Sequence, residues 1–347
     1  MSVTTVSHAM SGQGQVSAET RAKVLRIAAE LSYAPNRIAS ALRRQRSGVI
    51  GFVSDEIATT PFAGRLVLGA QFAAVRHGML LMVVNSNGDV LVEGDQIEAL
   101  LAHQVDAVIY AKMYHQQVEL PATLQYIPTV LVNAFDPRHP APSIVPDEEA
   151  IAEAAVDLLV RHGHRSIAHL TIAEDTPAMR GRLAGYRRAL TRAGIPVDER
   201  LIVRASVERG AAATGIARVA FASFLQRQHR PTAVFCFNDQ FAMGVYQAAA
   251  IFDLRIPHDL SVVGVDNLEI IAANLSPGLT TVALPHYEMG RWAVDAVGEL
   301  LGDSAADSTL RTSAVLQPAR SSPTRMVCDL IERDSVRPPV LVAPGLA

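Results

Sequence analysis

From Gly48 onward short apolar runs alternate with longer stretches whose apolar positions recur every three or four residues, a rhythm that predicts strands and helices in turn. The runs predict strands over Val49–Val53, Leu80–Asn85, Ala107–Ala111 and Thr129–Val132. Past Asp147 they predict Ser166–Thr171, Ala233–Phe237, Val262–Val265 and Thr280–Ala283. Between them Phe62–Arg76, Glu148–His162, Gly181–Ala193 and Phe241–Ile251 read as amphipathic helices. Such alternation implies parallel sheets. Two series in one chain predict two open α/β lobes, and in open parallel sheets the ligand crevice lies beyond the carboxyl ends of the strands.

The first 47 residues follow a different pattern. Val6, Ala9 and Met10 make one apolar helical face, with Ser2 a fair N-cap and Gly12-Gln13-Gly14 a turn. Ser17 then caps a second helix, with Glu19 in its first turn and Val24, Ile27, Ala28 and Leu31 as its expected buried stripe. Pro35 breaks the chain, and a third short segment follows over 36–43.

A length of 347 residues suits two or three domains, and 49% hydrophobic with 19% charged residues is a globular composition. No apolar run approaches the ~20 residues of a membrane span. No charged-then-apolar leader is seen, so a cytoplasmic protein is expected. Cys236 and Cys328 lie far apart without metal-ligand spacing, which fits reduced thiols. The net charge of −3 hides an asymmetry: residues 1–47 hold seven Lys/Arg against two Glu, and the remainder holds 24 against 32 Asp/Glu. A basic arm on an acidic body fits a module that meets phosphate, or equally a solvated basic face. The eleven histidines are scattered, and His162-Gly163-His164 reads as a helix-to-strand turn. No nucleophile elbow, Walker loop or paired-cysteine site is found, so no enzyme, metal or cofactor is expected.

Ser2 to Gly12, Val16 to Arg21, Tyr33-Ala34-Pro35-Asn36, Ile38-Ala39 and Leu42 together resemble the lactose/galactose-repressor (LacI/GalR-type) family of bacterial transcription regulators. The body carries further pieces of the same resemblance, in order, to about Arg320. They are Thr60-Pro61-Phe62, Asn85 to Asp89, Gly163 to Ile167, Arg182 to Tyr186, Phe237-Asn238-Asp239, Gly264 to Asn267 and Leu279 to Val282. The resemblance implies a type I periplasmic-binding-protein-like core of parallel sheets, preceded by an all-α helix-turn-helix headpiece and a hinge helix. The expected division is 1–47 for the headpiece with a hinge helix at 36–43, 48–146 plus 283–310 for the first lobe, 147–282 plus 311–325 for the second, and 326–347 as a poorly ordered tail. The family's first helix has no counterpart here. Val6, Ala9 and Met10 are thus expected to lack a packing partner, and a late-called start, with an in-frame segment upstream, is the reading of that gap.

By the same resemblance Val3, Thr4 and His8 occupy base-reading positions, and Ser2, Thr5, Ser7, Ser17, Thr20, Tyr33 and Asn36 match backbone-contacting ones. His8 stands where relatives often carry arginine, and lacks the bidentate fork that favours guanine. Ala39 and Leu42 match the hinge element that enters the minor groove, Leu42 as the wedge. Arg182 and Asp266 are the leading effector contacts, with Asn238, Phe62, Asp55 and His286 next. A cation, a carboxylate and an amide suit a polyhydroxyl ligand or one bearing a carboxylate. Asp239 and Asp266 also read as possible helix caps, with Asp239 favoured as one. The stretch Glu208 to Ala211 lacks an aromatic platform, and Asp147-Glu148-Glu149 lacks the usual Asn and Gly, so effector specificity stays open. The implied function is a repressor acting as a homodimer on double-stranded operator DNA under a sugar-like metabolite. A transport-system solute-binding protein, or a truncated regulator without DNA binding, remains an alternative.

Overall fold

The computed structural model describes residues 2–11, 14–31, 46–57, 64–206, 213–226, 230–302 and 322–340. The expected hinge segment at 36–43, with Tyr33, Asn36, Ala39 and Leu42, lies outside them, as does Phe62.

Two helices, α1 (Val3–Ser11) and α2 (Ala18–Glu30), open the chain. Ser2 Oγ accepts the Thr5 amide at 3.1 Å, and Ser17 Oγ accepts the Thr20 amide at 3.3 Å, so both serines cap as expected. The buried stripe differs from expectation. Ala9 and Val24 are buried, but Ile27 and Leu31 are exposed, because among the described residues no other element covers that face of α2.

The body is two six-stranded sheets. The first lobe holds β1 (Val49–Ser54), α3 (Gly64–Arg76), β2 (Leu80–Asn85), α4 (Val90–Ala102), β3 (Ala107–Gln117), β4 (Thr129–Phe135) and β5 (Ser143–Pro146). The second holds α5 (Glu148–Arg161), β6 (Ile167–Ile172), α6 (Pro177–Arg192), β7 (Ile202–Ala205), α7 (Ala213–Leu225), β8 (Ala233–Cys236), α8 (Asp239–Ile251), β9 (Ser261–Asp266), α9 (Glu269–Ala272) and β10 (Thr280–Ala283). Then α10 (His286–Leu300) returns to pack on α3, followed by β11 (Thr324–Met326) and β12 (Asp329–Ile331).

The first sheet runs β11-β5-β4-β3-β1-β2, all parallel; the second runs β12-β10-β9-β8-β6-β7, parallel except for β12. Alternate residues of β1, β3 and β4 feed two apolar layers. Phe52, Ile109 and Val130 face α3 and α10, whereas Val53, Val108 and Leu131 face α4. Burial on both faces explains why these strands read as continuous apolar runs.

The C-terminal segment corrects the expected division. Thr324–Met326 pairs with β5 in the first sheet rather than joining the second lobe, and Asp329–Ile331 pairs antiparallel with β10. Ser335 is fully buried, its hydroxyl donating to the Val262 carbonyl at 2.6 Å, so residues 327–340 are a built edge of the second lobe rather than the poorly ordered tail expected. Asp329–Ile331 ladders with β10, and the Arg333 and Arg337 amides donate to the Thr280 and Ser261 hydroxyls. The chain therefore crosses between lobes three times, after Pro146, after Ala283 and after Met326.

Candidate functional site

A narrow cleft opens at the crossovers. From the first lobe it is lined by Met113, Tyr114 and His115 of β3, Asn133 of β4 and Pro146 of β5; from the second by Glu148, Ala178, Arg182, Phe237, Asn238 and Asp266, with Leu284 beside them. Most of these stand at the carboxyl ends of strands, where open parallel sheets leave a crevice. β3 runs past its expected end at Ala111, with a register shift between Ala111 and Gln116, and this irregular end presents Tyr114 and His115 to the cleft.

Arg182 lies in the second turn of α6, whose N-cap Thr176 accepts the Met179 amide at 3.1 Å. It is buried, yet its charge is answered within the protein. Nε donates to Glu148 Oε2 at 2.8 Å, a terminal nitrogen donates to the Phe237 carbonyl, and the guanidinium lies 4.4 Å from the Phe237 ring centroid. Glu148 is held there because α5 and α6 touch at glycine: a Cβ on Gly181 would sit 2.5 Å from Glu148 Cβ. Burial raises the Glu148 carboxyl, but Arg182 and His115 outweigh it, and the net shift is downward. His115 Nδ1 is 3.4 Å from Glu148 Oε1, a contact that joins the two lobes.

Asp266 ends β9 with φ 118°, next to Asn267 at φ 51°. Burial and the nearby Asp239 charge push its carboxyl well up. Asp239 is not the cap of α8. Asn238 is, its Oδ1 accepting the Phe241 amide at 2.8 Å, while Asp239 accepts from the Leu268 amide and the Thr281 hydroxyl. The Asn238 oxygen is thereby engaged, which leaves its amide nitrogen as its donor toward the cleft.

The structure thus gathers Arg182, Asn238 and Asp266 in one cleft. Asp55 and His286 are not among its lining residues. Asp55 Oδ1 accepts the Glu56 and Met113 amides, and burial in the first turn of α10 drives the His286 imidazole down to about 4. Sequence reasoning missed Glu148, His115, Asn133 and Tyr114 as lining residues. The one available signal was the departure at Glu148. On the headpiece Ser2, Thr4, His8 and Ser17 are exposed, while Thr5 and Thr20 are half-buried.

The model for bacterial regulatory proteins of the lacI family matches residues 1–36, and that for a periplasmic binding protein-like domain matches residues 156–336. The transcriptional regulator DegA of Bacillus subtilis is 33% identical over 84% of this chain and 85% of its own length. The chain belongs to the LacI family of bacterial regulatory proteins. Within the LacI family, the ribose operon repressor of Haemophilus influenzae is 32% identical over 86% of this chain and 87% of its own. Among solved structures, the lac repressor dimer bound to operator and the anti-inducer ONPF aligns with a TM-score of 0.74 and 26% identity, over 97% of this chain and 96% of that one. This LacI-family member is a DNA-binding transcriptional regulator with the family's two-lobed core. Among its described residues no helix is long and apolar enough to cross a membrane.

Proposed function

We propose that this regulator is a cytoplasmic repressor that binds a near-palindromic operator as a homodimer, and that a small polyhydroxyl metabolite in the cleft tunes its affinity. One observation carries the reading: the cleft takes side chains from both lobes, beside the crossovers after Pro146 and after Ala283. A ligand there interacts differently with each relative orientation of the lobes, and that difference alone shifts an equilibrium. A coupling of ~1–3 kcal/mol changes operator affinity about 5- to 150-fold.

Pairing of protomers is supported by the outer face of the first lobe. Leu68, Phe72 and Val75 of α3 form an exposed apolar stripe near Leu80 and Val83 of the edge strand β2. On the headpiece we assign base reading to Val3, Thr4 and His8, and phosphate contact to Ser2, Thr5, Ser7, Ser17 and Thr20. Hinge contact with the minor groove is assigned to Ala39 and Leu42 on the family resemblance, with Tyr33 and Asn36 at the backbone. For the effector, Arg182, Asn238 and Asp266 are the proposed contacts.

The test is selection of duplexes from a random pool with the full chain, followed by affinity measurements across salt concentrations with and without a sugar panel. The reading expects a palindromic site bound at least about 10³-fold tighter than random duplex, with steep salt dependence. Equal binding of selected and random DNA overturns it.

A further inference from the structure

The cation of the cleft is used within the protein, since Arg182 is engaged by Glu148 Oε2, the Phe237 carbonyl and the Phe237 ring. A ligand carboxylate or phosphate entering here meets an arginine whose charge Glu148 already balances. It also meets Asp266, a second carboxyl of the same cleft. Beyond burial, Asp266 feels Asp239 first, then Arg182, which lowers its carboxyl, and Glu148, which raises it; the Tyr114 phenol is raised by burial and then by Asp266 across the cleft, with Glu56 and Asp55 on its own side. The field in the cleft is that of crowded carboxyl groups.

A second, independent observation points to a ligand that donates. Asn133, 3% exposed and lining the cleft, holds an Oδ1 with no hydrogen-bond partner among the described residues. A buried acceptor without a donor is costly and uncommon, and marks a place where a bound group completes the site. Asn133 Oδ1 and Glu148 Oε1, which His115 Nδ1 approaches to 3.4 Å, are acceptors, and the Asp266 carboxyl joins them once a cationic partner holds it ionised. An alkylammonium carries three N–H donors and a compensating charge.

We propose that the effector bears a primary ammonium on a small hydroxylated frame, the ammonium seated among Glu148, Asp266 and Asn133. This rests on the effector-cleft reading above and replaces the carboxylate-bearing ligand that Arg182 alone implied. Glu148 thus both neutralises Arg182 and reverses the preferred sign of the ligand.

The test uses the full chain, calorimetry and thermal shift at neutral pH. The probes are matched gluco, galacto and manno sugars in amino, neutral and uronate forms. At least one amino sugar is expected to bind about tenfold or more tightly than its neutral parent, with its uronate weaker still. Glu148→Gln is expected to erase that preference and admit the uronate, because the Arg182 charge is then unbalanced. Asp266→Asn is expected to erase it without admitting the uronate, and serves alone if Glu148→Gln fails to fold. A neutral sugar or uronate bound as tightly as the amine overturns the proposal, as does the absence of binding by every amino sugar. Amine binding that leaves operator affinity unchanged defeats the regulatory reading while keeping the ligand class.

Discussion

Asp239 accepts the Thr281 hydroxyl at 2.6 Å, and through its other oxygen the Leu268 amide at 2.7 Å. The first residue of α8 therefore ties β10 to the turn that carries Asp266. That turn places two successive non-glycine residues in the positive-φ region, a conformation that persists only when its surroundings over-determine it. Asp239→Ala leaves a buried hydroxyl and a backbone amide without their acceptor. It should cost about 2–4 kcal/mol of stability and loosen Asp266, weakening effector binding. Denaturant titration and calorimetry on the same variant read the two effects, and unaltered ligand affinity would confine Asp239 to folding.

The Arg182–Glu148 pair, with both side chains 5% exposed, belongs to the class in which removing one partner is worse than removing both. Arg182→Ala strands a buried carboxylate and should destabilise the second lobe by about 3–5 kcal/mol. Arg182→Met combined with Glu148→Gln should cost less than the sum of the single changes by more than ~1 kcal/mol. A double-mutant cycle of unfolding free energies measures this. The Glu148 carboxyl is lowered in the fold. Its contribution is therefore present above the ordinary value of 4.5 and lost as pH falls through the lowered one, a loss that Glu148→Gln should remove.

Much of the fold was legible because strands buried on both faces leave continuous apolar runs, as at Thr280–Ala283, which has the extent the pattern predicts; the edge strand Leu80–Asn85 also has its expected extent, although Leu80 and Val83 are exposed. The cleft was less so, for physical reasons. Past Ala111 only Met113 of β3 stays in the core, and the strand continues through Lys112, His115, Gln116 and Gln117, where polar side chains meet the crossovers and hydrophobic periodicity ends. Asn238 and Asp239 are adjacent residues of capping type, and only the depth of burial decides that the first caps while the second braces β10. Glu148 registered as a departure from a family pattern. That it quenches Arg182 follows from the contact between α5 and α6, a relationship between distant segments that no local spacing carries.

His169 is stacked between Phe235 and Tyr186, with centroids at 4.8 Å and 5.2 Å, and its Nδ1 lies 3.1 Å from the Phe235 carbonyl. Burial drives its imidazole down to about 3, so it is neutral in the fold and donates that bond. Below its ordinary value of 6.5 the unfolded chain takes up a proton that the native state refuses. Stability therefore falls as pH drops from 6.5 toward 3, by about 2 kcal/mol at pH 5. His169→Phe should flatten that part of the profile. Melting temperatures between pH 7 and 5 check it, and parallel profiles for the two proteins would contradict it.

His8 is exposed on α1, at a position assigned to base reading. His8→Arg adds a planar fork that fits the guanine O6 and N7 acceptors, so operator preference should move toward guanine at one base pair by about 1–3 kcal/mol. Duplex selection with the variant reads the change, and an unaltered consensus would take His8 off the base edges.

Gly185 is where α6 rides directly on α5. A Cβ built there would stand 2.2 Å from the Glu149 carbonyl oxygen and 2.9 Å from Ala152 Cβ, and the first of these obstacles is backbone. Gly185→Ala therefore cannot be absorbed by a side-chain rotation, and the helices must separate. On an exposed helix the same change stabilises by roughly 0.5–1 kcal/mol through backbone entropy, so the expected sign is reversed here, with a loss of about 1–3 kcal/mol. Because Arg182 lies one turn before Gly185 and Glu148 sits on the helix being pushed away, the separation should also stretch their 2.8 Å hydrogen bond. Denaturation should then show lower stability, and calorimetry a diminished preference for cationic over anionic ligands as Arg182 is released. A stabilised variant would mean that the helices yield without cost and that their contact does not set the charge of the cleft.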